Sequence, residues 1–331
     1  MLSPADLIHL PYTPDLTEGG IAYALRTLPN RFDHAEGRQY DQLRRTVAGA
    51  AVELAFRRHL SQQGIPFEIA SVNPFTNPDQ YDVSLGGRRC DLQSFFISHR
   101  NQIAQMRSDP SLILNAPALV PSEHHVNDGR ADNDLYLFAF LSGLIAASQD
   151  DLKKVIETNQ PRYLIHLMPE AWRRPYQWTP LAPLVLKSES DEELIVEISG
   201  QDEGRGFVTR VLSLPPKVRV TVDDSFYSVM AIHVRNIPSA RIGIHSPAFK
   251  EAHVIAPLEW GNLWLYGMDI TLTGWITREE FRRRAKLIAP NSRVFQYDRT
   301  KTKNLAVPVS SLNPLGELFI RVREWEAGRK A

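Results

Sequence analysis

Asp82, Asp91 and Gln93 are the residues of this 331-residue chain whose types and spacing best suit chemistry. Between them, Gly86-Gly87 is a dipeptide that accepts φ > 0, as a two-residue hairpin turn requires. A turn there sets the register by counting: Leu85 faces Arg88, Ser84 faces Arg89, Val83 faces Cys90, and Asp82 faces Asp91. Opposed Cβ atoms lie about 4.5–5.5 Å apart, and like charges there are destabilising unless a cation stands between them. Gln93 shares the face of Asp91, while Val83, Leu85, Cys90 and Leu92 take the other. Hard oxygen donors in this arrangement suit Mg²⁺ or Mn²⁺. A rival reading has the acidic pair salt-bridged to Arg88 or Arg89.

The elements that must hold these residues follow from periodicity. Over residues 38–62, Leu43, Val47, Ala50 and Leu54 mark one face of a helix. Glu53 borders that face, within reach of a site on the sheet below, and Arg45 and Gly49 share its stripe. A mid-helix glycine costs roughly 1 kcal/mol relative to alanine, which suggests close approach of another backbone at Gly49. Residues 67–72 read as a strand and 73–80 as a loop before the hairpin. Residues 99–107 read as a helix offering Arg100 and Arg107 to phosphates. Residues 109–132 read as a polar loop, with Glu123, His124 and His125 solvated in it. The apolar run Leu135–Leu141 suits a central strand buried on both faces, and a helix is expected over 148–158.

The texture changes near Pro161. Short β-type runs separated by Ser199-Gly200, Pro215-Pro216 and Asp223-Asp224 indicate a mostly antiparallel module. Mixed α/β texture returns near Trp260, with strand-like segments at 263–268 and 270–275. Thr277 is a good N-cap for a helix running through Leu287, and 315–327 reads as a closing helix. From Arg278 to Lys303 nine basic residues stand against three acidic ones, making Arg282, Arg283, Arg284, Arg299, Lys301 and Lys303 candidate phosphate contacts, with Arg45 and Arg100.

Composition sets limits. With 38 basic and 38 acidic residues there is no global basic signal, so nucleic-acid contact must come from local patches. A single cysteine, Cys90, excludes an intramolecular disulfide and a multi-cysteine zinc site, and fits a reducing cytoplasm. No apolar run approaches membrane-spanning length, and the first residues lack the basic and apolar regions of a signal peptide.

Together the helix with Glu53, the strand with Asp82, the return to Asp91-Leu92-Gln93, the helix and the buried strand resemble the PD-(D/E)xK nuclease superfamily. The resemblance covers roughly residues 38–145, and Gly274–Phe281 is similar to a late segment of such nucleases. It implies a restriction-endonuclease-like α/β fold, a mixed central sheet flanked by helices, here with a β-rich inserted module. The expected division is an N-terminal arm at 1–35, a nuclease core at 36–160, the insertion at 161–258 and a continuation of the core at 259–331. The implied activity is Mg²⁺- or Mn²⁺-dependent cleavage of DNA, for restriction, defence or repair. Asp82 and Asp91 take the places of the motif acids, with the Leu92 carbonyl and Glu53 as further metal donors. Gln93 stands where the motif carries lysine; an amide positions water but supplies no cation, which keeps open a catalytically inactive binding module as the alternative. The β-rich module is the expected contact for a homodimer or a partner protein.

Overall fold

The computed structural model describes residues 2–31, 39–69, 83–122, 131–145, 163–263 and 266–330, with Asp150, Lys153 and Glu157. The chain is mixed α/β with several sheets and divides into two compact units. Unit 1 comprises Met1–Gly20, Arg45–Leu144 and Gly267–Ala331; unit 2 comprises Ile21–Arg44 and Ile145–Tyr266.

The N-terminal segment is not a free arm. β1 (Ile8–Leu10) joins a sheet through a strand some 260 residues later, with Ile8 opposite Leu272. α1 (Pro14–Arg31) starts at a proline, whose fixed φ and missing N–H suit a first helical position. Its Gly20 is a packing residue: a Cβ there would come 2.7 Å from the Val47 carbonyl oxygen. Val47 lies on α2 (Gln39–Gln62), whose buried face carries Leu43, Val47, Ala50 and Ala51.

Next come β2 (Glu68–Ile69), β3 (Val83–Leu85) and β4 (Arg88–Ile97), an antiparallel meander. The expected loop at 109–132 is partly structured. After α3 (Arg100–Ser108) come α4 (Ser111–Asn115) and β5 (Pro117–Pro121), and the residues Glu123, His124 and His125 lie outside the described ones. β5 gains its hydrogen bonds from the distant segment 304–308, and its short apolar run Ala118-Leu119-Val120 between two prolines does not mark a strand by itself. β6 (Leu135–Leu144) runs parallel to β4 and is buried along nearly its whole length, as its unbroken apolar sequence requires. Most of the helix expected at 148–158 lies outside the described residues.

Unit 2 follows as β7 (Leu164–Leu167), α5 (Glu170–Arg173), β8 (Leu184–Ser188), β9 (Leu194–Gln201), β10 (Phe207–Leu214), β11 (Arg219–Val222), β12 (Ser228–Val234), β13 (Ile242–His245), β14 (His253–Ile255) and β15 (Gly261–Asn262). These strands pair antiparallel as two sheets, ordered β10-β9-β12-β7-β15 and β11-β8-β13-β14, around one apolar core that includes Leu164, Val196, Ile232 and Ile244. Unit 2 is wider than the module expected at 161–258. Residues 21–44 belong with it because Arg26 lies over the Phe207 ring and Tyr40 packs on Gly261.

The chain then completes unit 1. The two strand-like segments after Trp260 form one long β16 (Tyr266–Thr277). α6 (Arg278–Arg284) starts at Thr277, whose side chain accepts Glu280 N–H, and ends earlier than expected. It stops because Lys286–Ile288 pairs as β17 with β18 (Asn304–Pro308), which pairs in turn with β5. β19 (Asn313–Pro314) and α7 (Leu315–Lys330) close the chain. The main sheet of unit 1 has the order β1-β16-β6-β4-β3-β2, with β19 also on β16. Among the described residues no helix is long and apolar enough to cross a membrane.

Candidate functional site

Gly86 and Gly87 have φ of 58° and 74°, the left-handed pair that a tight hairpin turn demands. The register is Leu85 opposite Arg88, Ser84 opposite Arg89 and Val83 opposite Cys90. Asp82, the next expected position, lies outside the described residues. The turn is buttressed from the far end of the chain: Arg88 lies over the Trp325 ring of α7, 3.7 Å from its centroid, and Arg329 reaches Glu68 at 3.4 Å. Arg88 is thus stacked on an indole.

Asp91 and Gln93 share one face of β4, and Gln93 Nε2 donates to Asp91 Oδ1 at 2.8 Å. Their partners across the parallel ladder are Tyr136 and Phe138, and the same face carries Phe95 and Ile97 into an apolar core. Leu92 lies between them in the ladder, opposite Leu137. The next residue, Ser94, points to the other face, and there α2 meets it: a Cβ on Gly49 would lie 3.5 Å from Ser94 Oγ. That is ordinary contact with a side chain, so close backbone approach is not the reason for Gly49. Glu53, one turn on, is buried and ion-paired with Arg57. The helix carrying Glu53 therefore meets β4 on the Ser94 side, and the side chains of Asp91 and Gln93 project from the opposite side.

Asp134 is a residue that periodicity missed. It is buried just before β6, and its carboxylate accepts the backbone N–H of Arg89 at 3.1 Å and of Ala131 at 2.8 Å. It ties the start of β4 to the start of β6 and so helps to position Asp91. The run Asp132-Asn133-Asp134 ahead of an apolar strand was the available signal, since such residues bond nearby backbone.

The basic segment packs on the Asp91 face. Phe295 lies edge-on to Phe140, and Tyr297 edge-on to Phe95, with ring centroids 6.3 and 6.5 Å apart. Gln102 of α3 donates to the Phe295 carbonyl, which places Arg100 beside this loop. Burial raises the Tyr297 phenol above its ordinary pKa, and the positive charge of Arg45 opposes that rise. Arg299, Lys301 and Lys303 are exposed, as are Arg45 and Arg100. The triple Arg282-Arg283-Arg284 is divided: Arg282 pairs with Asp132 at 3.0 Å, Arg284 with Glu280 at 2.7 Å, and Arg283 has no ion pair among the described residues. Arg278 is buried.

Carboxylate and amide oxygens are the donors Mg²⁺ and Mn²⁺ take, so the chemistry of Asp91 and Gln93 fits such an ion. Among the described residues no three His, Cys, Asp or Glu side chains converge as a metal site. No protein-family model, curated protein or solved structure matches this chain.

Proposed function

We propose that unit 1 is the core of a metal-dependent endonuclease that hydrolyses phosphodiester bonds in DNA. The observation that carries this reading is the order and pairing of elements around Asp91. A helix is followed by the antiparallel meander β2-β3-β4, two helices, β5 of a separate three-stranded sheet, and then β6 parallel to β4. That arrangement supports a mixed sheet flanked by helices, with Asp91 and Gln93 on its third strand and an exposed basic loop on the same face.

Asp82 and Asp91, with the Leu92 carbonyl, are the groups that would hold Mg²⁺ or Mn²⁺. When bound, the ion supplies a water of lowered pKa and neutralises charge on the scissile phosphate. Glu53 is left out of this set: it is ion-paired with Arg57, and its helix meets β4 on the face opposite Asp91. Gln93 fixes the orientation of Asp91 through its amide N–H, and its amide oxygen accepts a hydrogen bond from water. Arg100, Arg299, Lys301 and Lys303 attract the phosphate backbone.

A second reading, a catalytically inactive binding module, is favoured by Gln93, whose amide carries no charge. Purified protein incubated with plasmid and linear DNA in Mg²⁺, Mn²⁺ or EDTA separates the two. Cleavage that needs metal and is lost in Asp91→Ala supports the first. Binding without cleavage in either metal supports the second. Neither binding nor cleavage with any DNA sets both aside.

A further inference from the structure

We propose that His166 and His253 form a binding site in unit 2 for a late divalent transition-metal ion, best matched by Zn²⁺ and separate from the Mg²⁺ or Mn²⁺ of the nuclease reading. The two imidazoles meet head-on: their Nε2 atoms are 2.9 Å apart and their ring centroids 5.1 Å apart. His166 lies on β7 and His253 on β14, so the contact joins the two sheets of unit 2. Each ring shares its strand face with a core residue two positions away, Leu164 for His166 and Ile255 for His253. The pair therefore stands between the sheets, at the border of the core.

The surroundings of His166 are those of a metal-ligating histidine. Its Nδ1–H donates to the Glu259 carbonyl at 3.2 Å, which leaves Nε2 as a lone pair aimed at His253. A bond of this kind on the far nitrogen fixes the tautomer and orientation of a ligating ring. The carbonyl is itself held: the Glu259 carboxylate accepts Ala256 N–H at 2.6 Å and closes the turn Pro257–Glu259. The buried Trp260 indole packs edge-on against His166, with centroids 6.0 Å apart, and shields it from water on that side. Between the rings, His253 Nε2–H donates to His166 Nε2. Metal entry moves that proton to His253 Nδ1 through solvent, a change of tautomer with no net loss of a proton, and the partial exposure of His253 permits it. Burial holds both imidazoles below the ordinary histidine pKa, so both rings are neutral at pH 7.

The spacing narrows the ion. Two imidazole nitrogens on a tetrahedral Zn²⁺ lie about 3.3–3.4 Å apart, with ring centroids about 5.2 Å apart. The centroid spacing of the pair already matches, so each ring has only to pivot until the two lone pairs converge to one side of the line joining them. A linear two-coordinate ion would hold the nitrogens about 4 Å apart and force the sheets roughly 1 Å further from each other. Imidazole suits Zn²⁺, Cu²⁺ and Ni²⁺, whereas Mg²⁺ and Ca²⁺ take oxygen. Among the described residues no third His, Cys, Asp or Glu joins the pair, so water fills the remaining positions and the ion is held less tightly than in a four-ligand site. Because the two ligands come from different sheets, a bound ion ties the sheets together and stabilises unit 2.

Calorimetry and thermal unfolding of the full chain, stripped with EDTA and dialysed into a non-coordinating buffer, with Zn²⁺ or Mg²⁺ chloride test this. Zn²⁺ should bind the wild type and raise its unfolding temperature, and excess Mg²⁺ should not displace it. His166→Gln and His253→Gln should each weaken Zn²⁺ binding about 10-fold or more, since loss of even an outer-sphere partner costs that much. His9→Gln, at an exposed histidine of unit 1, should leave it unchanged. His253 is only partly buried, so His253→Gln serves if His166→Gln does not fold. With Cu²⁺ as probe, the electron paramagnetic resonance spectrum should show two imidazole nitrogens in the wild type and one fewer in His253→Gln. Zn²⁺ binding that is absent from the wild type, or unchanged in both pair variants, overturns the proposal. Mg²⁺ binding as tight as Zn²⁺ and lost in the same variants overturns the assigned class of ion.

Discussion

The hairpin turn permits a graded test of the geometry that places Asp91. Gly86→Ala and Gly87→Ala both put a side chain into the left-handed region, at about 1–2 kcal/mol each. Their neighbours differ. A Cβ on Gly86 would come 2.7 Å from Trp325 Cβ, an atom fixed to the backbone of α7, so the helix itself must move. Moving it also disturbs the Arg88 stack on Trp325, worth about 0.5–1 kcal/mol. A Cβ on Gly87 would meet only the Arg329 side chain at 3.4 Å, which swings aside. Gly86→Ala should therefore cost about 1.5–3 kcal/mol and Gly87→Ala about 1–2 kcal/mol. Urea unfolding followed by tryptophan fluorescence measures both. Equal losses, or a neutral Gly86→Ala, refute the packing of α7 on the turn.

Other outcomes follow from the same reasoning. Arg283→Ala should weaken DNA binding and lower its salt dependence more than Arg282→Ala, because Arg282 is already paired with Asp132; filter binding across salt concentrations reads this. Thr277→Ala removes the N-cap of α6 and should cost about 1 kcal/mol in denaturant unfolding. Burial holds the pKa of His166 and His253 below the ordinary histidine value, so the unfolded chain takes up these protons first. Unit 2 should keep this stability above about pH 6.5 and lose it as pH falls below that value, by at most about 1.4 kcal/mol per pH unit for each histidine; His253→Gln should flatten the slope in thermal melts. For Glu197 the His233 hydrogen bond, the largest influence, lowers the pKa, so its contribution is present above the ordinary carboxylate range and disappears in stronger acid. Glu197→Gln should make unfolding less sensitive to acid below about pH 4.5.

The features legible in the sequence are those with local causes. Gly86-Gly87 fixes the hairpin register because two left-handed residues leave one way to fold back. Leu135–Leu141 reads as a central strand because only a strand covered on both faces is apolar at every position. The short runs between 184 and 245 alternate clearly enough to yield six strands of unit 2. What stayed hidden depends on partners far away in the chain. β1 and β5 are strands because β16 and β18 supply their hydrogen bonds. Arg282 looked like a free charge because Asp132, 150 residues earlier, is its partner. Spacing also placed Glu53 beside the acidic pair, whereas its carboxylate is ion-paired with Arg57 and its helix meets the other side of β4 at Ser94.

The place of β16 in the main sheet has a consequence for synthesis. β6 finds β4 and the Asp134 clasp early, but its other edge waits for a strand that begins at Tyr266. The roughly 120 intervening residues occupy a ribosome for about 6–24 s at 5–20 residues per second. Throughout that interval an apolar strand presents an unpaired edge, the surface on which chains aggregate. The stretch from Ile145 to Tyr266 has its own two sheets and core, and it emerges within that window. A nascent chain stalled with Tyr266 just outside the exit tunnel should thus hold a folded unit 2 and a sticky, half-built unit 1, and chaperone demand should peak at that length and fall once β16 has also left the tunnel.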